Sequence, residues 1–209
     1  MEQDLSIRTL MEVILPRVYF GNIAYYSVYR QADEVIFEPH EHFLKQSYRN
    51  RCTVVSANSI QNLIVPVKRI QKKGAIEKLE ISYAESWQRV HWGAIVSSYK
   101  VSPYFDHYAH FFEPFFNSFK PTTLWELNKN GHEIVKGILN LDQKESITGS
   151  FLKSYPIDYR NKVKPSDDFQ LSFEHNIYQQ VFEDRHGFQK NMSILDLIFN
   201  EGPNSLSFL

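Results

Sequence analysis

The residues with the most chemistry to offer lie between His42 and Ile76. That window holds Lys45, Arg49, Arg51, Lys68, Arg69, Lys72 and Lys73 and has no Asp or Glu at all. The flanks compensate: residues 1–41 carry seven acids against three bases, and residues 165–209 carry seven against two. One basic block in a chain of net charge −1 can sustain a local positive potential that draws in an anion. The plainer alternative is a solvated face balanced by its acidic neighbours. Within the block, Lys45-Gln-Ser-Tyr-Arg-Asn-Arg51 stands out. Arginine offers a planar fork suited to phosphate or carboxylate, and lysine a point charge. If this stretch is extended, Lys45, Ser47, Arg49 and Arg51 share one face, with Tyr48 and Asn50 on the other. Three cations on one side repel each other unless a bound anion or a buried acid lies between them. A phosphorylated ligand would serve, and so would Glu38 or Glu41.

Proton transfer has one main candidate. His91 follows Trp87 at helical spacing, and Tyr99, Pro103, Tyr104 and Tyr108 come next. An imidazole titrates near neutrality, which suits a general acid or base. A lone histidine beside tryptophan also serves as a satisfied core group. His40 and His42 would face the same side of a strand and could chelate a metal, and His107 and His110 form a similar pair on a helix. Neither pair has a third ligand nearby, so no metal is assigned, and the cofactor is left open. HExxH, CxxC and G-x-S-x-G are absent, as are GxGxxG and the P-loop, in keeping with only 8 glycines. Cys52 sits inside an apolar run and reads as a small core residue.

These side chains need elements to hold them. Residues 11–20 (MEVILPRVYF) predict a strand ending near Pro16 or Tyr19, and Asn22 to Ala32 a helix capped by Asn22. Glu34 to Phe37 predicts a second strand. The three together have the size of a right-handed βαβ unit with parallel strands. Cys52–Val55 and Leu63–Val67 flank the turn former Ser56–Ser59 as a hairpin or adjacent strands, and Ile76–Ile81 adds another strand. From Ser86 the period becomes helical, with Val90, Ala94, Ile95 and Ser98 on one face and Trp87 and His91 joining it. Ser102-Pro103 signals the start of an aromatic helix that Pro114 should kink or divide. Thr123-Leu-Trp-Glu126 is a capping box. Residues 141–170 are polar and read as a long surface loop, and 172–182 have no clear assignment. Ser193-Ile-Leu-Asp196 opens a last short helix that Glu201-Gly-Pro203 ends. The fold class is α/β: an N-terminal mixed sheet of four or five strands (11–82), a helical stretch (86–140), then a loop and a C-terminal helix (141–209), as one domain.

Composition closes off several function classes. At 209 residues the chain can bury an ample core without staples. Balanced charge, 23 basic against 24 acidic residues, argues against bulk nucleic-acid binding. One cysteine excludes an internal disulfide framework and fits a reducing compartment. No apolar run approaches 18 residues, and the acidic N-terminus does not read as a signal peptide, so the expected setting is the cytoplasm with no membrane span. Aromatics reach 15%, with 16 Phe and 12 Tyr, which implies an aromatic core with some capacity for stacking.

Taken in order, several motifs resemble the WbqC-like family of bacterial proteins. They are Lys45-x-Ser-Tyr-x-Asn-Arg51, Val65-Pro-Val67, Trp87-Gln-Arg-Val-His91, Tyr99-x-x-Ser-Pro-Tyr-Phe-x-x-Tyr108, Leu124-x-x-Leu-Asn128, Tyr178-Gln and Ser193-Ile-Leu-Asp-Leu-Ile-Phe-Asn-x-Gly-Pro203. The resemblance runs from about residue 13 to the end of the chain. It implies a connection with O-antigen assembly and a transferase role, with some members suggested to attach an aminoacyl or acyl group to an amino sugar. Many members open with Gln-Pro-x-Tyr-x-Pro and carry an Asp just before the Lys-x-Ser block. Here the opening is Leu15-Pro-Arg-Val-Tyr19-Phe-Gly-Asn22, and Glu38-Pro39-His40 replaces the Asp region, which points to a divergent branch.

With the resemblance, the candidate ligand-binding residues are Lys45, Arg49, Asn50, Arg51, Trp87, Arg89, Tyr99, Tyr104 and Tyr108. The basic group would take phosphates, Trp87, Tyr104 or Tyr108 would stack on a base or sugar, and His91 would move a proton. The expected activity is transfer involving a phosphorylated or nucleotide-linked small molecule. The alternatives are a nucleotidyltransferase-like α/β protein using the turn after the first strand, or a binding module whose basic face docks an acidic partner. A concave pocket uniting the basic residues, His91 and Tyr104 favours an enzyme or small-ligand site. A flat basic face with His91 buried elsewhere favours the module.

Overall fold

In the computed structural model, residues 10–68, 74–165 and 176–209 are described. Strand β1 (Glu12–Leu15) leads through helix α1 (Ile23–Gln31) to strand β2 (Glu34–Phe37), and the strands pair in parallel with Val13 opposite Val35. Pro16 brings no N–H to the ladder, so β1 stops before it. The Asn22 side chain accepts from the Tyr25 N–H at 3.0 Å and starts α1 as anticipated. Strand β3 (Arg51–Val55) and strand β4 (Ile60–Ile64) form an antiparallel hairpin across the Ser56–Ser59 turn.

The class is α/β, but the strands divide differently from the expected single mixed sheet. β3 and β4 stand apart as a two-stranded ribbon. The third strand of the parallel sheet is β5 (Lys144–Ile147), inside the stretch read as loop. It pairs with β2, making β2 the central strand. Its sequence, KESI, is polar because β5 is an edge whose side chains are exposed or half-buried, so no apolar alternation marks it. Ile76–Ile81 is not a strand. Ile76–Lys78 is a 3-10 turn, and single bridges tie Glu80 to Thr123 and Ile81 to Val67.

Helix α2 (Trp87–Tyr99) buries Trp87, His91, Ile95, Ser98 and Tyr99, while Val90 stays 64% exposed. The core-facing stripe is therefore the Trp87–His91–Ile95 row and not the Val90 row. Helix α3 (Phe105–Asn117) begins after Ser102-Pro103, and it continues through Pro114, which lies one turn from its end. Helix α4 (Leu124–Leu139) opens with both halves of the expected capping box. A one-turn helix α5 (Glu183–His186) precedes helix α6 (Ile194–Glu201), where Ser193 accepts from the Leu195 N–H. Most of the aromatics make the core: Phe20 meets Phe112, Phe115 and Phe116 with ring centroids 5.0–5.9 Å apart. Among the described residues no helix is long and apolar enough to cross a membrane.

Candidate functional site

Lys45, Asn50, Arg51 and Lys68 line one cleft of about 470 Å³, together with Phe43 and Gln46. That volume suits a small molecule. Residues 45–50 are not extended, because Gln46 takes the left-handed conformation (φ 56°) and turns the chain. A common face for Lys45, Arg49 and Arg51 is thereby lost, and the cations part company. Lys45 and Arg51 meet at the cleft, and among the described residues neither contacts a carboxylate. Lys68, which follows the β4 strand, reaches Glu80 at 2.5 Å in an exposed pair. Two buried polar atoms in the cleft residues have no hydrogen-bond partner: Nε of Arg51 and Oδ1 of Asn50. Arg69, Lys72 and Lys73 lie outside the described residues.

Arg49 does not line this cleft. Its guanidinium is buried and grips Glu41 with both arms, Nε to Oε1 at 2.9 Å and Nη2 to Oε2 at 2.5 Å. Nη2 also donates to the backbone carbonyl of Arg160 at 2.9 Å. Arg160 in turn bonds Glu38 at 2.8 Å and Asp158 at 2.6 Å. Glu38 is fully buried and accepts from the Thr148 hydroxyl and the Leu152 N–H as well. This network sits at the carboxyl ends of β2 and β5, the edge where open parallel sheets commonly seat ligands. Here protein side chains fill it. Of the two ways to satisfy Arg49 named from sequence, an anion or a buried acid, the acid is the one found.

His91 lies in the core, 4% exposed, and is not among the cleft residues. The Tyr19 hydroxyl is hydrogen-bonded to Nδ1 at 2.9 Å, and the Ile64 backbone is a second hydrogen-bond partner of the ring. Burial pushes its pKa down to about 4. The unfolded chain therefore takes up the proton first, near pH 6.5, and stability falls as pH drops from there toward 4. At pH 5 this linkage costs about 2 kcal/mol. Denaturant titrations at pH 7.5 and 5.0 should show that loss in the wild type and a smaller one in His91→Phe. His132, also depressed by burial, acts with the same sign in both proteins.

The remaining candidates scatter. Trp87 and Arg89 line a separate depression of about 360 Å³ with Tyr83 and Lys120. Tyr99 is buried against Phe199, its hydroxyl near Asp196 but outside hydrogen-bonding geometry. Asp196, itself buried, accepts instead from Tyr178 at 2.5 Å and Gln180 at 2.8 Å, and burial raises its pKa. Tyr104 packs its ring on Gly202, and Tyr108 lies beside it, 6.4 Å away between centroids. His40 faces Glu77, and His42 stacks on Phe151. Among the described residues no three His, Cys, Asp or Glu side chains gather as a metal site would need.

Two residues near this region carry no site reading from sequence. Asn128 donates Nδ2 to the backbone carbonyls of both Arg17 and Arg49, at 3.2 and 2.7 Å, tying α4 to the two loops that flank the network. It belongs to the quoted Leu124-x-x-Leu-Asn128 motif, which was its only signal. Arg17, just beyond β1, is 3% exposed and sandwiched between Phe37 and Trp125, 4.3 and 4.9 Å from the ring centroids. Its Nε and Nη1 are buried without hydrogen-bond partners.

Residues 18–155 match the WbqC-like protein family. Over an alignment of 226 residues the chain is also 25% identical to the uncharacterized protein Rv1507c of Mycobacterium tuberculosis (strain ATCC 25618 / H37Rv), covering 92% of each. No solved structure matches.

Proposed function

From the premise that this chain belongs to the WbqC-like protein family, we propose that it is a transferase-type enzyme that holds the phosphate of an activated small molecule between Lys45 and Arg51. One observation carries the phosphate half of this reading. Two cations without carboxylate partners among the described residues, Lys45 and Arg51, line one cleft of small-molecule size. Phosphate oxygens complement such a pair in charge and geometry. The transfer half is supported by the family resemblance. In this reading His91 carries no proton, because its ring is enclosed by Tyr19 and Ile64. Arg49 acts from behind, holding the loop on which Lys45 and Asn50 are mounted.

Titration calorimetry with pyrophosphate and with uridine diphosphate tests the reading. Arg51→Ala should weaken binding about tenfold, roughly 1.4 kcal/mol, with circular dichroism unchanged. Wild-type affinity should fall as salt rises from 50 to 300 mM, as expected for partly exposed charges. Absence of binding by the wild type at low salt sinks the proposal. A second reading, a non-catalytic receptor for the same ligands, is favoured by the cleft's own lining, which among the described residues has no carboxylate or imidazole to move a proton. Binding without turnover of any activated donor would select it.

A further inference from the structure

The cleft that holds Lys45 and Arg51 is not wholly polar. Phe43 and Val67 line it as well, and both are half-buried, packed on the rim of the core with part of each side chain left exposed. Backbone pairing holds both in place. His42, next to Phe43, bridges to Ala75, and Val67 bridges to Ile81. On either side of Val67, the Lys68 N–H donates to the Glu80 carbonyl and the Ser82 N–H to the Pro66 carbonyl, each at 2.8 Å. Among the described residues no other ring and no cation stacks on Phe43. The rings named from sequence for stacking lie elsewhere: Trp87 lines the separate depression, and Tyr104 backs Gly202. The ring at this cleft is Phe43.

Phe43 and Lys45 are two residues apart, so their α-carbons lie within about 7 Å of each other. A ligand whose phosphate sits between Lys45 and Arg51 therefore brings the group beyond its ester oxygen to the Phe43 and Val67 wall. A hydroxylated carbon there exchanges water for hydrocarbon at a cost, whereas an apolar group gains by leaving water. A flat ring gains further from an aromatic neighbour. We propose that the cleft takes aryl-type phosphate esters, with a flat apolar group at the ester oxygen or one carbon beyond it. Phe43 and Val67 hold that group while Lys45 and Arg51 hold the phosphate. This rests on the phosphate reading above and adds the class of group the phosphate carries. It ranks such esters above polyol phosphates of equal charge.

Phenyl phosphate and glycerol 3-phosphate are fitting probes, alike in charge at pH 7.5 but opposite in the polarity of the esterified group. Calorimetry on the wild type should give at least tenfold tighter binding of phenyl phosphate. Phe43→Ala should bring the two affinities within about threefold of each other by weakening phenyl phosphate alone, and Arg51→Ala should weaken both ligands alike. Equal affinity of the two esters for the wild type, or a preference for glycerol 3-phosphate, overturns the proposal and leaves the phosphate reading standing, whether or not the Phe43 variant folds. A preference for phenyl phosphate that survives Phe43→Ala, or Phe43→Gln should the alanine variant fail to fold, also overturns it. If neither ester binds, the phosphate reading falls, and this inference falls with it.

Discussion

Arg49→Met is expected to destabilise the fold by about 3–5 kcal/mol, as an uncompensated buried charge does. The Glu41 carboxylate would lose both arms of its partner, and it is only 4% exposed, so water cannot replace them. The damage would spread, because Arg49 also holds the Arg160 carbonyl and Arg160 neutralises the fully buried Glu38. Replacing both members, Glu41→Leu with Arg49→Met, should recover most of the loss, since a buried pair is worth little more than apolar groups of similar volume. Urea denaturation of the three variants against wild type provides the measurement. A single-variant loss under 1 kcal/mol would show that the pair is not the clasp described.

Gly202→Ala should cost about 3 kcal/mol or more. A β-carbon there would lie 2.5 Å from Cγ and Cδ1 of Tyr104, and the backbone has φ 52° and ψ −120°, a region side chains avoid. Left-handed strain of about 1–2 kcal/mol adds to overpacking of about 1–3 kcal/mol. Tyr104 cannot step aside freely, because its N–H is bonded to the Phe199 carbonyl. Adding Tyr104→Ala should return the overpacking share but not the backbone share, and thermal denaturation of the double variant separates them. Gly137→Ala is the control. It meets nothing within 4 Å on helix α4, and it should stabilise by about 1 kcal/mol. The contrast recasts Tyr104: its ring backs a glycine turn, where the sequence suggested a stacking platform.

The opening of the fold was legible because its signals are local. Asn22 before an apolar helical period, two runs rich in Val and Ile, and the reciprocal Thr123–Glu126 cap each act within a few residues. β5 was hidden because an edge strand has no buried face to write into its sequence. At the site, Lys45 and Arg51 line the same cleft, but the alternation that would add Arg49 fails at Gln46, whose left-handed backbone no composition rule flags. Glu41 was named as a possible partner for the block, whereas Arg160, 111 residues away in sequence, could not be paired with Arg49 before the sheet brought it close. His91 shows the same limit. Its spacing from Trp87 reads identically for a proton carrier and for a ring packed between Tyr19 and Ile64.

The order β1-β2-β5 has a consequence for synthesis on the ribosome. Glu34 must wait for Lys144, 110 residues later, before the middle strand has its second neighbour. At roughly 5–20 residues per second that interval is about 5–20 s, far longer than a hairpin or helix needs to form. Throughout it the nascent chain displays one open hydrogen-bonding edge of β2, and the polar, charged KESI segment that finally covers it is well suited to arriving late without having clumped beforehand.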